Sequence, residues 1–163
     1  MTANPGERLG VVTLRPVTPE NVAAVVKLRV APGQDGLVAT NSNSLAEAYV
    51  YPDRAWPRAI YAGDTPVGFL MLDLVGPDHP EVEEGRASYY LWRLMVDAEH
   101  QGKGYGAAGV RLAIEHVKTL PDARELKSSY VPKDGSAAAF YERLGFKPTG
   151  EVDDGEVVIR LDW

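Results

Sequence analysis

The 163-residue sequence predicts a single domain, residues 1–163, of mixed α/β class: a twisted mixed sheet of about six to seven strands with helices on both faces. Three observations predict it. Short runs rich in branched and aromatic residues alternate with segments whose apolar residues recur every three or four positions, the signatures of half-buried strands and amphipathic helices. Gly, Pro, Asn and Asp punctuate the boundaries of these runs. The length and a hydrophobic share of 45% suffice for one buried core, and no internal repeat divides the chain.

Residues 9–15 have strand composition. Thr18, Pro19 and Glu20 offer an N-cap, a proline at the first helical position and an acidic first turn, which predicts a helix over 21–29. The Ser/Asn-rich stretch 40–44 is too short for a domain linker, and Ser44 is expected to cap a second short helix over 45–51. Pro52 and Pro57 then mark a turn before a strand over 59–62. Gly63-Asp64 followed by Thr65-Pro66 reads as a hairpin loop into a mostly apolar strand, 67–75.

The acidic segment 76–85 is a loop, and 87–97 is the longest strand candidate. Ala107, Val110, Ile114 and Val117 share one helical face, and Pro121 follows the end of that helix. Residues 125–131 read as a strand. Residues 136–144 read as a helix, with Ala137, Phe140, Tyr141 and Leu144 on one side and Gly145 as its stop. Strands near 147–150 and 156–162 complete the sheet.

Composition removes several function classes. There is no cysteine, hence no disulfide framework and no thiolate metal site, and a cytosolic setting is expected. Residues 1–8 lack the apolar core of a secretory leader, and no apolar run approaches the roughly 20 residues that span a bilayer, so no membrane partner is expected. A net charge of −6 opposes attraction to phosphate backbones, so no nucleic-acid partner is expected. Acidic residues gather at Asp73, Asp78, Glu81, Glu83 and Glu84, and again at Glu151, Asp153, Asp154 and Glu156. They favour a cationic partner only weakly, and a solvated surface is the plainer reading. His79, His100 and His116 show no ligand spacing, so no metal is expected.

The chemistry concentrates at Gln101-Gly102-Lys103-Gly104-Tyr105-Gly106, between a predicted strand and a predicted helix. Glycines there allow a tight turn whose backbone N–H groups point outward, and the following helix adds its positive end, a combination that binds a pyrophosphate. Lys103 can add a charge. An ordinary strand-to-helix loop is the alternative. No G-x-x-x-x-G-K-[ST] is present, which removes the P-loop. Gly104, Gly106 and Gly109 do match G-x-G-x-x-G, but residues 97–101 separate strand from loop, whereas a dinucleotide turn leaves its strand directly.

The sequence resembles the Gcn5-related N-acetyltransferase superfamily. Leu94-Met95-Val96-Asp97 followed by residues 99–106 is similar to the acyl-CoA signature, with Gln101, Gly104 and Gly106 at its fixed positions. Ala137 and Phe140-Tyr141-Glu142-Arg143-Leu144-Gly145-Phe146 are similar to the second signature. Ser44-Leu45-Ala46-Glu47-Ala48-Tyr49, Gly68-Phe69 and Gly150-Glu151 resemble bacterial spermine and spermidine acetyltransferases. The resemblance implies a sheet whose fourth and fifth strands splay apart to admit pantetheine. It implies acetyl-CoA as cosubstrate and a small-molecule amine, such as a polyamine, as acceptor. By the same resemblance, Leu94, Met95 and Val96 hold pantetheine, residues Gln101, Gly102, Lys103, Gly104, Tyr105 and Gly106 hold the pyrophosphate, Asp134 stands at a pantetheine-contacting position, Ala137 contacts the cofactor, and Tyr141 lies near the thiol.

Tyr141 is the candidate general acid, since a phenol with an ordinary pKa near 10 is protonated at neutral pH; a core tyrosine is the other reading. Two departures from the family stand out. Asp134 takes the place of a common Asn and, ionised, can only accept hydrogen bonds, and residues 89–96 carry no carboxylate to serve as base. Glu47, Asp73 and solvent remain open for that role, with Glu47, Asp73 and Trp92 as candidate acceptor contacts. Tyr89, Tyr90 and Trp92 fit an acceptor pocket, the core, or the contact of a homodimer. A non-catalytic acyl-CoA sensor and a dinucleotide-binding protein are the alternatives to an enzyme.

Overall fold

The computed structural model describes residues 10–163; the reading of residues 1–8 and the start of the first strand at residue 9 lie outside the described residues. In chain order the elements are β1 (Val12–Pro16), α1 (Val22–Lys27), α2 (Asn41–Val50), β2 (Ala55–Ala62), β3 (Thr65–Val75), β4 (Ser88–Val96), α3 (Tyr105–Lys118), β5 (Glu125–Tyr130), α4 (Ala138–Arg143), β6 (Lys147–Asp153) and β7 (Glu156–Asp162). Seven strands form one sheet in the order β1-β2-β3-β4-β5-β7-β6. Neighbours are antiparallel except β4 and β5, which run parallel.

Two apolar layers cover the faces. On one, Val110, Ala113, Ile114 and Val117 of α3 and Tyr141 of α4 bury against Ile60, Leu70, Leu72, Leu91 and Leu126. On the other, Val25 of α1 packs with Ala59, Tyr61, Phe69, Met71 and Met95, flanked by Leu45, Ala48 and Trp92. The period of three and four read in α3 is therefore the stripe that meets the sheet.

Helix starts differ from the sequence reading for identifiable reasons. The side chain of Asn21 accepts the Thr18 N–H at 2.7 Å, so residues 18–21 close a turn of their own and α1 begins at Val22. Thr40, not Ser44, caps α2: its hydroxyl accepts Asn43 N–H at 3.2 Å. Ser44 lies inside the helix, buried, with Oγ donating to Thr40 O at 3.1 Å. The polar stretch 40–44 is the cap and first turn of α2, and buried Asn41 ties it to α1 by donating to Val25 O at 2.9 Å. Strand β2 starts before Pro57, which is accommodated because β1 pairing ends at Arg58 and leaves that edge open.

Two close approaches set the strand that lines the site. A bulge lies opposite Met71 and Leu72, which pair with Arg93 and Leu91, so Trp92 is the extra residue of β4. At Gly68 on β3, an added Cβ would stand 2.5 Å from the Met95 carbonyl oxygen, so only glycine lets β3 approach β4 there. Gly68→Ala is expected to destabilise by about 2 kcal/mol, lowering the melting temperature by roughly 4–8 °C. Gly10→Ala, which meets nothing within 4 Å, is the thermal-denaturation control and should leave it unchanged.

Candidate active site

Strands β4 and β5 pair at Tyr90 and Lys127 and then diverge, as the splayed-strand expectation requires. Ser128 Oγ donates to Leu91 O at 2.9 Å and closes the vertex. Beyond it, β4 remains bonded to β3 as far as Val96 while its other edge is free of β5. Polar backbone groups on that edge need partners. Trp92 O accepts from Arg93 at 3.1 Å, and Val96 O accepts from Gln101 Nε2 at 2.9 Å. Between the strands lies a cleft of about 1460 Å³, lined by β4, the glycine loop, β5, α4 and the turn joining β6 to β7.

The glycine loop is shaped for an anion. Asp97 accepts from Arg29 N–H at 2.8 Å and Glu99 N–H at 3.2 Å, holding a single 3-10 turn, Ala98–His100, between strand and loop. Gly102 and Gly104 then take φ of +74° and +86°, the left-handed region open to glycine, and Gly104 stands at the N-cap of the 14-residue α3. Gly106 is small for a second reason: a Cβ there would reach Val96 Cγ2 at 3.3 Å and the Phe140 ring at 3.5 Å. Asp97, Glu99 and His100 bring potential donor atoms within 4.8 Å of one another. Both carboxylate oxygens of Asp97 are already engaged by backbone N–H groups.

The sequence-named residues divide as follows. Leu94, Met95, Val96, Gln101, Gly102, Gly104, Tyr105, Gly106, Ala137, Tyr141, Asp73 and Trp92 line the cleft. Lys103 and Asp134 are exposed and do not line it, and neither does Glu47. Asp73 is clamped by Arg54 through contacts of 2.6 and 2.5 Å, with Glu81 on the same guanidinium. Glu47 pairs with Arg93 at 3.0 Å. The two acids considered as bases are thus held as partners of arginines.

Three features of the cleft were not read as site residues from sequence. Arg93 occupies β4 where a carboxylate was sought, and its Nε is the one buried side-chain polar atom without a partner among the described residues. Arg111 of α3 and Arg143 of α4 stand on the wall. Asp153 at the end of β6, Asp154 in the turn and Glu156 at the start of β7, part of the second acidic cluster, also line the cleft. Glu156 accepts from Ser129 Oγ at 3.0 Å. Burial and then Glu156, Asp153 and Glu151 push the Tyr90 phenol up.

Tyr141 is 6% exposed, packed edge-on between Phe140 and Phe146 at 5.1 and 5.4 Å. Burial pushes its phenol up to about 12, with Ser128 opposing and Tyr90 and Glu156 adding to the rise. Its ring belongs to the core, and the residue also lines the cleft.

The acetyltransferase (GNAT) family pattern matches residues 39–146, across the glycine loop, α4 and the open edge of β4. The chain belongs to this family. It is an acetyl-CoA-dependent N-acetyltransferase. A spermine/spermidine N(1)-acetyltransferase of Bacillus subtilis strain 168 is 30% identical over 155 residues, covering 91% of this chain and 96% of that protein. A peptidyl-lysine N-acetyltransferase of Escherichia coli K12 is 31% identical over 98 residues, 59% of this chain and 53% of its own. Among solved structures, an acetyltransferase from Thermus thermophilus is 25% identical with a TM-score of 0.65, covering 95% and 99% of the two chains. The fold is shared with the aminoglycoside acetyltransferase AAC(6')-Ib in complex with coenzyme A, at a TM-score of 0.73 and 19% identity over 93% and 95%.

The raised phenol of Tyr141 has a measurable consequence. Its neutral form is favoured by the fold, so its contribution to stability is full below pH 10 and is lost as pH rises from 10 towards 12. Ultraviolet difference titration should show one tyrosinate step near 12 that Tyr141→Phe removes; the same step remaining in the variant would assign it elsewhere.

Proposed function

We propose that this acetyltransferase acts on a primary amine of a small polycation, a polyamine of the spermidine class, with Tyr141 as the proton-donating group at the leaving sulfur. The observation that carries the acceptor class is the acidic turn, Asp153, Asp154 and Glu156, standing in the cleft itself. Carboxylates grouped where the acceptor must enter raise the local concentration of ammonium groups and slow the escape of a multiply charged one. The full-length likeness to the Bacillus subtilis polyamine enzyme supports the same class.

The residues present fit acetyl-CoA. The open edge of β4 over Leu94, Met95 and Val96 offers strand-like hydrogen bonding to pantetheine, and the loop over residues 101–106 with the start of α3 offers donors to a pyrophosphate. When bound, acetyl-CoA supplies an activated thioester acetyl group.

Tyr141 holds its proton across the working pH range, because burial places its pKa at about 12. Complete transfer to a thiolate of ordinary pKa near 8.5 would run uphill by about 5 kcal/mol. Tyr141 therefore donates a hydrogen bond to the developing thiolate, stabilising the charge as the carbon–sulfur bond breaks; the proton lost by the newly acylated nitrogen passes to solvent, and the thiolate takes its proton from solvent. An alkyl amine of ordinary pKa near 10.4 is unprotonated to about one part in a few thousand at pH 7. With Asp73 and Glu47 engaged by arginines, the ammonium proton leaves to solvent at the acidic mouth.

Two measurements test this reading. Tyr141→Phe should lower kcat by about a hundredfold while coenzyme A binding is retained; unchanged turnover would remove the assigned role. The value of kcat/KM for spermidine should rise with pH up to the amine pKa, with no fall from Tyr141 below about pH 11. Tight binding of acetyl-CoA without transfer to any amine of a broad panel would point to the acyl-CoA sensor instead.

A further inference from the structure

Acylation of an amine releases a proton from nitrogen, and β4 carries no carboxylate to take it. A side chain that does so must line the cleft, be ionised at neutral pH and not be spent on a cation. Five carboxylates line the cleft: Asp35, Asp73, Asp153, Asp154 and Glu156. Asp73 is spent on Arg54. Asp35, Asp153 and Asp154 are exposed, and nothing among the described residues bonds their carboxylates or fixes their direction. Glu156 differs from all four. It is half-buried, it makes no ion pair among the described residues, and a neutral group orients it, Ser129 Oγ donating to Oε2 at 3.0 Å. Tyr90 keeps its proton, since burial first and the neighbouring carboxylates next push its phenol up. His100 belongs to the turn before the glycine loop, at the end of the cleft read as the pyrophosphate site.

Alternation along the strands sets the side from which Glu156 enters. Leu126 of β5 and Val157 and Ile159 of β7 face the layer that holds Tyr141, so Ser129 and Glu156 face the other way. Ser129 stands two positions past Lys127, where β4 and β5 have already parted. Glu156 and Tyr141 thus belong to opposite faces of the sheet, and both reach the cleft through the gap between those strands. Burial raises the Tyr141 phenol most, and the charge of Glu156 adds to that rise across the gap.

We propose that Glu156, oriented by Ser129, takes the proton from the acceptor nitrogen. This deepens the acetyl-transfer reading above and rests on it. The free amine adds to the thioester carbonyl, which forms the carbon–nitrogen bond and leaves positive charge on nitrogen and negative charge on oxygen. Carboxylates are far weaker bases than alkylamines, so the transfer follows this step, which makes the nitrogen acidic. Glu156 accepts the proton, the oxygen pair re-forms the carbonyl, and the carbon–sulfur pair departs with the sulfur on the side of Tyr141. Glu156 then passes the proton to solvent at the mouth of the cleft.

The test uses Glu156→Gln, which keeps the side-chain shape and can still accept from Ser129. With spermidine, or with the best acceptor of an amine panel if spermidine is not acetylated, kcat at pH 7 should fall about a hundredfold while coenzyme A binding by calorimetry stays within about twofold. Ser129→Ala, which keeps the carboxylate but frees it, should lower kcat by about three- to tenfold. In the unliganded protein, ultraviolet titration of Glu156→Gln should show the Tyr141 step moved down from about 12, a readout independent of turnover. Full kcat in Glu156→Gln overturns the assignment, and so does a loss confined to KM, which would make Glu156 only a cation holder. An unmoved tyrosinate step also overturns it, since Glu156 would then not face Tyr141. An unaltered protein that binds acetyl-CoA and acetylates no amine overturns the acetyl-transfer reading itself.

Discussion

The departure of β5 from β4 after a single paired position is the constraint on which the rest of the molecule depends. Up to Tyr90 the sheet is continuous; past it, one edge of a central strand loses its partner in the middle of the domain. Backbone donors and acceptors cannot be left dry, so side chains of the chain itself answer some of them. Ser128 takes Leu91 O, Arg93 takes Trp92 O and Gln101 takes Val96 O. The strand edge that remains is ready for an extended ligand, in the same way that an exposed sheet edge takes an added strand. The bulge at Trp92 and the close approach at Gly68 both serve this geometry, since they twist β4 and press it against β3 where β5 is missing.

The charges of the cleft are sorted by element. Backbone N–H groups and the start of α3 make the glycine loop attractive to phosphate without a charged side chain inside it. Arginines come from α3 and α4, and carboxylates from the turn between β6 and β7. On the proposed function, a polyanionic cosubstrate and a polycationic acceptor would be drawn to different walls of one opening. The Arg93–Glu47 and Arg54–Asp73 pairs neutralise the remaining charged groups near β4 and join it and β3 to the segment around α2.

On the proposed role of Tyr141, packing and chemistry are joined in one side chain. Its ring is part of the core between α4 and the sheet, and the burial that contributes to stability is also what raises the phenol and keeps it protonated. Removing only the hydroxyl would separate packing from the proposed donor role, because phenylalanine keeps the ring contacts with Phe140 and Phe146.

Much of the fold was legible because its signals are local. The apolar stripe of α3, the glycine turn before it and the apolar run of β3 are each specified by neighbouring residues; β3 begins at Thr65, two residues before the sequence reading put it. Helix starts were less legible because several neighbouring polar side chains can each bond the backbone there: Asn21 accepts Thr18 N–H, Thr40 accepts Asn43 N–H and Ser44 donates to Thr40 O, and only the folded geometry shows which of them caps the helix. The sequence by itself determined the family, the strand-loop-helix built around Gly102 and Gly104, and the tyrosine on the apolar face of α4. Only the tertiary structure decided which charged residues share the cleft, because Arg93, Arg111, Arg143 and the acidic turn come from four separate elements. Periodicity reports which face a side chain takes on its own element; it carries no information on what the fold brings opposite that face.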